Sequence, residues 1–175
     1  MLFLETLVVL DLKPSSSITI PMYDIYQKTL SKKAVFKGIG LHSGDVSTIN
    51  VIPAKENEGI VFKRVDLKKN NLILADCKSV TSARLCTTLE NKFGTKVATV
   101  EHLLAALYVS EIDNAVVEIN SEEVPIMDGS AKNFIETFKK IEIKILDKKR
   151  KYLKILNKIS LSDREKNISI EPNKQ

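Results

Sequence analysis

Thr99-Val-Glu-His-Leu-Leu-Ala-Ala-Leu-Tyr-Val109 decides how the rest of the chain is read. Val100, Leu103, Leu104 and Leu107 fall at i, i+3, i+4 and i+7, the spacing of one helical face. Ala105, Ala106 and Val109 make its other faces apolar too. The pattern predicts a helix buried after its first turn, with Thr99 as its cap. The text before it alternates instead. Thr29–Phe36, Val46–Ile52, Gly59–Asp66, Leu72–Ala75 and Thr87–Leu89 are predicted strands. The second alternates through Val46, Thr48 or Ile49, and Val51, and Ile60, Phe62 and Val65 are expected on the inward side of the third. Gly38, Gly40 and Gly44 punctuate a loop between the first two. After the helix, Asp113-Asn114 turns into a strand, Ala115–Ile119. Ser130 is then placed to cap a second helix near Ala131–Lys140, with Phe134, Ile135 and Phe138 inward.

Working outward, Lys144–Lys151 is rich in Lys and Arg and reads as a linker. Tyr152–Ile159 and Ile168–Ile170 read as a hairpin around Ser162-Asp-Arg-Glu-Lys-Asn167. A lone hairpin is marginal in water, so this one looks like the start of a further domain. The fold class expected is α+β: a two-layer sandwich, a small sheet with helices packed on one face. The first hairpin of an incomplete second domain of similar type follows it. The boundaries are residues 1–27 (an extension broken by Pro14-Ser-Ser-Ser17), 28–146 and 147–175.

With 175 residues, 43% of them hydrophobic, the chain is long and apolar enough to bury a core, which excludes wholesale disorder. A formal charge of +5 is mildly basic. The run Lys144-Ile-Leu-Asp-Lys-Lys-Arg-Lys151 lacks aromatic interleaving, so no nucleic-acid partner is expected. No run reaches the ~18 apolar residues of a membrane span. Met1–Leu12 carries Glu5 and has neither a basic start nor a small-residue cleavage site, so it is not read as a leader. Cys77 and Cys86 cannot staple a fold, which points to a reduced, cytoplasmic compartment.

Two stretches carry chemistry. Gly38-Ile-Gly40-Leu-His42-Ser-Gly44 fails the dinucleotide pattern because Ser43 occupies the third glycine position; it reads as a turn that presents His42. Glu101 and His102 stand side by side at a helix start, about 100° apart around its axis. There the imidazole could hold a metal while the carboxylate takes a proton from a bound water. An exposed Glu beside a half-buried His is the plainer alternative.

Six stretches stand in a specific order: Gly40-Leu-His-Ser-Gly44, Gly59-Ile-Val-Phe-Lys-Arg-Val-Asp66, Leu85-Cys-Thr87, Thr99-Val-Glu-His-Leu-Leu104, Ile112-Asp-Asn114 and Val124-Pro-Ile-Met-Asp-Gly-Ser-Ala131. Together they closely resemble the N-terminal domain of the UDP-3-O-acyl-N-acetylglucosamine deacetylases, zinc amidohydrolases of lipid A biosynthesis. The resemblance runs from about Gln27 to Tyr152 and more faintly through the hairpin. It implies two similar α+β domains with the active site between them, and removal of an N-acetyl group from a UDP-linked, acylated glucosamine. By that resemblance Glu101 is the general base, His102 a zinc ligand, and Leu85, Cys86 and His42 line the substrate site. It also implies a further His and Asp ligand, the general-acid His and an acyl-chain tunnel, all from the second domain. No histidine follows His102 here. The chain therefore reads as a truncated or split frame, its partner a separately encoded second domain. The competing reading is a non-catalytic remnant or binding module that keeps the N-terminal fold.

Overall fold

The computed structural model describes residues 7–10 and 25–173. The expected break at Pro14–Ser17 lies outside them. In chain order the strands are β1 (Leu7–Leu10), β2 (Tyr26–Leu30), β3 (Ala34–Ile39), β4 (Val46–Pro53), β5 (Ile60–Arg64), β6 (Leu72–Leu74), β7 (Val80–Ser82), β8 (Thr88–Glu90) and β9 (Lys96–Val97). Helix α1 (Glu101–Val109) follows, then β10 (Ala115–Ile119), α2 (Lys132–Phe138), β11 (Ile143–Lys149), β12 (Tyr152–Ile155), β13 (Ile159–Asp163) and β14 (Lys166–Ile170). The architecture is α+β. Two compact units divide it, one spanning Tyr26–Lys148 and the other holding the remaining described residues.

The larger unit is built on a five-stranded sheet in the order β3-β4-β10-β5-β6. Only the β10–β5 pair in it is parallel. Because side chains alternate along a strand, register decides which residues reach the core. Ala34, Val51, Val117, Phe62 and Ile73 stand opposite one another across all five strands, and every one is buried. Phe36, Ile49, Ile119 and Arg64 form a parallel row. The buried Arg64 survives there because Asp66 takes its guanidinium in a two-bond fork, 2.9 and 2.7 Å, and Lys96 accepts a third bond through its carbonyl. On the helix side, Phe36 meets Phe134 and Phe138 edge-on, with ring centroids 4.8 and 5.7 Å apart. A small sheet, β7-β8-β9, leads into α1.

Several local expectations change. Thr29–Phe36 is two strands, β2 and β3, parted by the bend at Ser31-Lys32, and Gly38 lies within β3. In β4 the inward set is Ser47, Ile49 and Val51, so Val46 faces outward; Val65, past the end of β5, is also exposed. Helix α1 buries Val100, Leu103 and Leu107 as expected, but Ala105, Tyr108 and Val109 are exposed; it is covered on one side only. Residues 143–149, overlapping most of the expected linker, form β11 against β2, where the alternation around the buried Leu146 outweighs the lysines. In the smaller unit, Tyr152–Ile155 pairs with β1 rather than joining the hairpin, which is β13–β14.

Truncating Phe134 to Ala should destabilise the fold by about 3–5 kcal/mol in urea unfolding, as aromatic core deletions do. The exposed hairpin change Ile168→Ser should stay within about 0.5 kcal/mol.

Candidate functional site

Helix α1 starts abruptly. The chain arrives along β9, and at Thr99 the backbone swings to φ +57° before turning into the helix at Val100. A positive φ at a β-branched residue is a true outlier and stores on the order of 1–3 kcal/mol. What holds it is a side chain. The Thr99 hydroxyl donates to Glu123 Oε1 at 2.8 Å. Thr99 is therefore not the helix cap; Val100 occupies that position, without a side-chain bond.

Glu101 opens α1 and is half-buried; its Oε2 accepts the Thr87 backbone N–H at 3.0 Å. The Val100 N–H reaches back to the Thr87 carbonyl at 3.4 Å. The structure thus brings the Leu85-Cys86-Thr87 segment to the start of the helix, beside Glu101. Leu85 is 85% exposed there, and the half-buried Cys86 lies with Sγ 3.8 Å from Thr88 Oγ1. His102 follows Glu101, half-buried. His42 lies on an exposed loop and connects to this region through its backbone alone in the bonds observed.

That connection is Glu123. It is 3% exposed and sits where the chain leaves β10, in a parallel bridge with Ala98. Its Oε1 accepts the His42 N–H (3.0 Å) as well as the Thr99 hydroxyl; its Oε2 accepts the Ser43 N–H (2.8 Å). Burial by itself would raise this carboxyl, but the His42, Ser43 and Thr99 donors outweigh it and hold the pKa at about 2. Gly40 leaves the room required: a Cβ there would lie 2.5 Å from Glu123 Oε2 and 2.3 Å from Ser43 Oγ. Its backbone is not in the left-handed region, so the glycine is set by close approach and not by turn geometry. No motif or spacing singles out Glu123, which reads as one of two ordinary surface acids in Ser121-Glu-Glu-Val124.

The loop after it behaves as a self-contained turn. Asp128 accepts from the Ser130 hydroxyl and N–H, which lowers its pKa, and Ser130 Oγ accepts the Lys132 N–H at the start of α2.

As for zinc, no three His, Cys, Asp or Glu side chains among the described residues converge on a point that could hold a metal ion. His102 and Glu101 fall short of the three protein ligands of a catalytic site. The described residues alone do not fit the ion.

The family described as UDP-3-O-acyl N-acetylglycosamine deacetylase matches residues 27–175. The chain belongs to that family. The match opens where the resemblance was expected to open and extends beyond Tyr152 through the hairpin. A UDP-3-O-acyl-N-acetylglucosamine deacetylase from Geotalea uraniireducens is 46% identical over 149 residues, covering 85% of this chain and 48% of that protein. The one from Citrifermentans bemidjiense is 45% identical over 150 residues (86% and 49%), and that of Shewanella frigidimarina 41% over 148 (85% and 48%). The chain spans about half the length of these relatives. No helix among the described residues is long and apolar enough to cross a membrane.

Two outcomes follow from the Glu123 geometry. Gly40→Ala should destabilise the chain by about 1–3 kcal/mol, as overpacking does, measured by urea unfolding. The Glu123 pKa is depressed from 4.5 to about 2, so its stabilising effect is complete above about pH 4.5 and disappears as the pH falls towards about 2. The stability gap between the native chain and Glu123→Gln should therefore narrow across that window when unfolding is followed as a function of pH.

Proposed function

We propose that this chain supplies the proton-accepting part of an N-acetyl hydrolase site acting on UDP-linked, 3-O-acylated N-acetylglucosamine. The observation that carries the reading is Glu101, a carboxylate oriented by the Thr87 N–H next to His102 at the start of α1. Family membership supports it. Amide hydrolysis needs a base to take the proton of the attacking water and an acid to give one to the departing amine. Glu101 is assigned the first task, and His102 the role of a metal ligand. Leu85 and Cys86, beside Glu101, and His42, on its loop, are assigned to the substrate surface.

The acid and the other ligands that zinc chemistry requires are not assigned to any residue of this chain. We assign residues 28–146 to the deacetylase-like domain and 147–175 to the beginning of a second, with 1–27 outside both. A second domain is the partner that would complete the site. Leu85, Tyr108 (86% exposed) and Val109 leave apolar surface near the helix for it to cover. Two free cysteines suit a cytoplasmic setting. The alternative, a binding module without turnover, rests on the small number of candidate ligands.

Purified without chelator and dialysed, the chain should carry well below one zinc per molecule by metal analysis. A full equivalent that is lost on His102→Ala would show that the remaining ligands are present in this chain and overturn that expectation. Replacing the aligned segment of the Geotalea uraniireducens relative by residues 27–148 of this chain should give a chimera that releases acetate from the UDP-linked substrate. Glu101→Gln should slow it about 100-fold or more, the usual contribution of a general base. A chimera that binds substrate without turnover favours the binding module. Unchanged turnover in Glu101→Gln removes Glu101 from the chemistry.

A further inference from the structure

Glu123 takes no part in the chemistry assigned above, yet two of the chain's motif segments converge on it. Its Oε1 is shared by a donor from each: the His42 N–H of the glycine-rich loop and the Thr99 hydroxyl at the entry to α1. Its Oε2 takes the Ser43 N–H and again the His42 N–H, at 2.8 and 3.2 Å. Every donor recorded for it is neutral. A buried carboxylate without a cation is an expensive way to join two segments, since desolvation opposes it. Apolar packing would tie them together at less cost, but it has no direction. Four directed bonds onto two oxygens fix where the loop backbone runs and which way Thr99 turns.

The linkage continues to Glu101. Thr99 is in the left-handed region, and its bond to Glu123 opposes relaxation to an ordinary strand conformation. Two residues on, Glu101 meets the Thr87 N–H, while the Val100 N–H meets the Thr87 carbonyl. Thr87 therefore reports on how the helix start is seated.

We propose that Glu123 is a positioning residue of this site: its carboxylate sets the backbone of the His42 loop and, through Thr99, the seating of Glu101 against Thr87. That the seated group then serves catalysis rests on the deacetylase reading; the geometric linkage does not.

The test uses the whole 175-residue chain, labelled with 15N and studied by NMR. In Glu123→Gln the His42 and Ser43 amide protons should lose the downfield displacement conferred by a carboxylate acceptor, and the Thr87 amide should shift as well. The amides of Phe62 and Val117, in the middle of the sheet, should stay in place. Thr99→Val removes only the hydroxyl and should reproduce the Thr87 shift with the His42 and Ser43 amides less affected; Thr99→Ser should restore it. If Glu123→Gln does not fold, the Thr99 pair decides. A Thr87 amide that does not respond to loss of the Thr99 hydroxyl overturns the proposal. So does a displacement of Phe62 and Val117 as large as that of Thr87, which would mark general loosening. These results are independent of turnover. A chimera that releases no acetate counts against the deacetylase reading and leaves the Thr87 response standing, whereas an unresponsive Thr87 counts against Glu123 whatever the chimera does.

Discussion

The register of β10 is the constraint on which the larger unit depends. This strand lies between β4, antiparallel to it, and β5, parallel to it, and its inward residues Ala115, Val117 and Ile119 are buried. A slip of one residue would turn all three to the outer face. Buried polar groups stand at both ends of the strand. At its start, Asn114 accepts from the Gly59 N–H, donates to Gln27 and receives the Thr29 hydroxyl on its carbonyl. Beyond its far end comes Glu123. Each is satisfied only if the strand is in register, because a buried polar group without a partner costs far more than a made bond gains. The apolar row and the polar ends thus select the same alignment.

Sheet and site are one problem for that reason. Glu123 follows Ile119 by a short turn, so placing the strand also places the carboxylate, and the carboxylate gathers the His42 loop and the helix entry. Lys28, at the opposite end, is buried and pairs with Glu111, while its backbone N–H donates to Asp113. The link between α1 and β10 is held by the same logic of buried charge with directed partners.

The sequence exposed the periodic parts well. The inward residues Phe62, Leu103, Leu107, Phe134 and Phe138 follow from spacing alone, and the order of motifs carried the family. It was less informative where tertiary contacts override local pattern. The lysines of 144–149 resemble a linker until β2 is beside them, and Ser47 takes an inward position that hydropathy would give to Val46. The exposed side of α1 is as apolar as the covered one, so composition could not tell them apart. Glu101 and His102 were visible because they are adjacent. Glu123 was not, because its partners lie some 81 and 24 residues away along the chain and most of them are backbone groups.

The spatial order β4-β10-β5 has a consequence for how the chain folds. Strands β4 and β5 are neighbours in sequence but do not pair; the strand that joins them is encoded after α1. As synthesis proceeds from one end, both strands leave the ribosome with open hydrogen-bonding edges, and these remain open until residue 119 has emerged. Non-local pairing of this kind slows folding, and unpaired edges are templates for other chains. The nascent protein therefore passes through an interval in which β4 and β5 lack their shared central partner, and the length of that interval is set by translation of the stretch that carries Glu101 and His102.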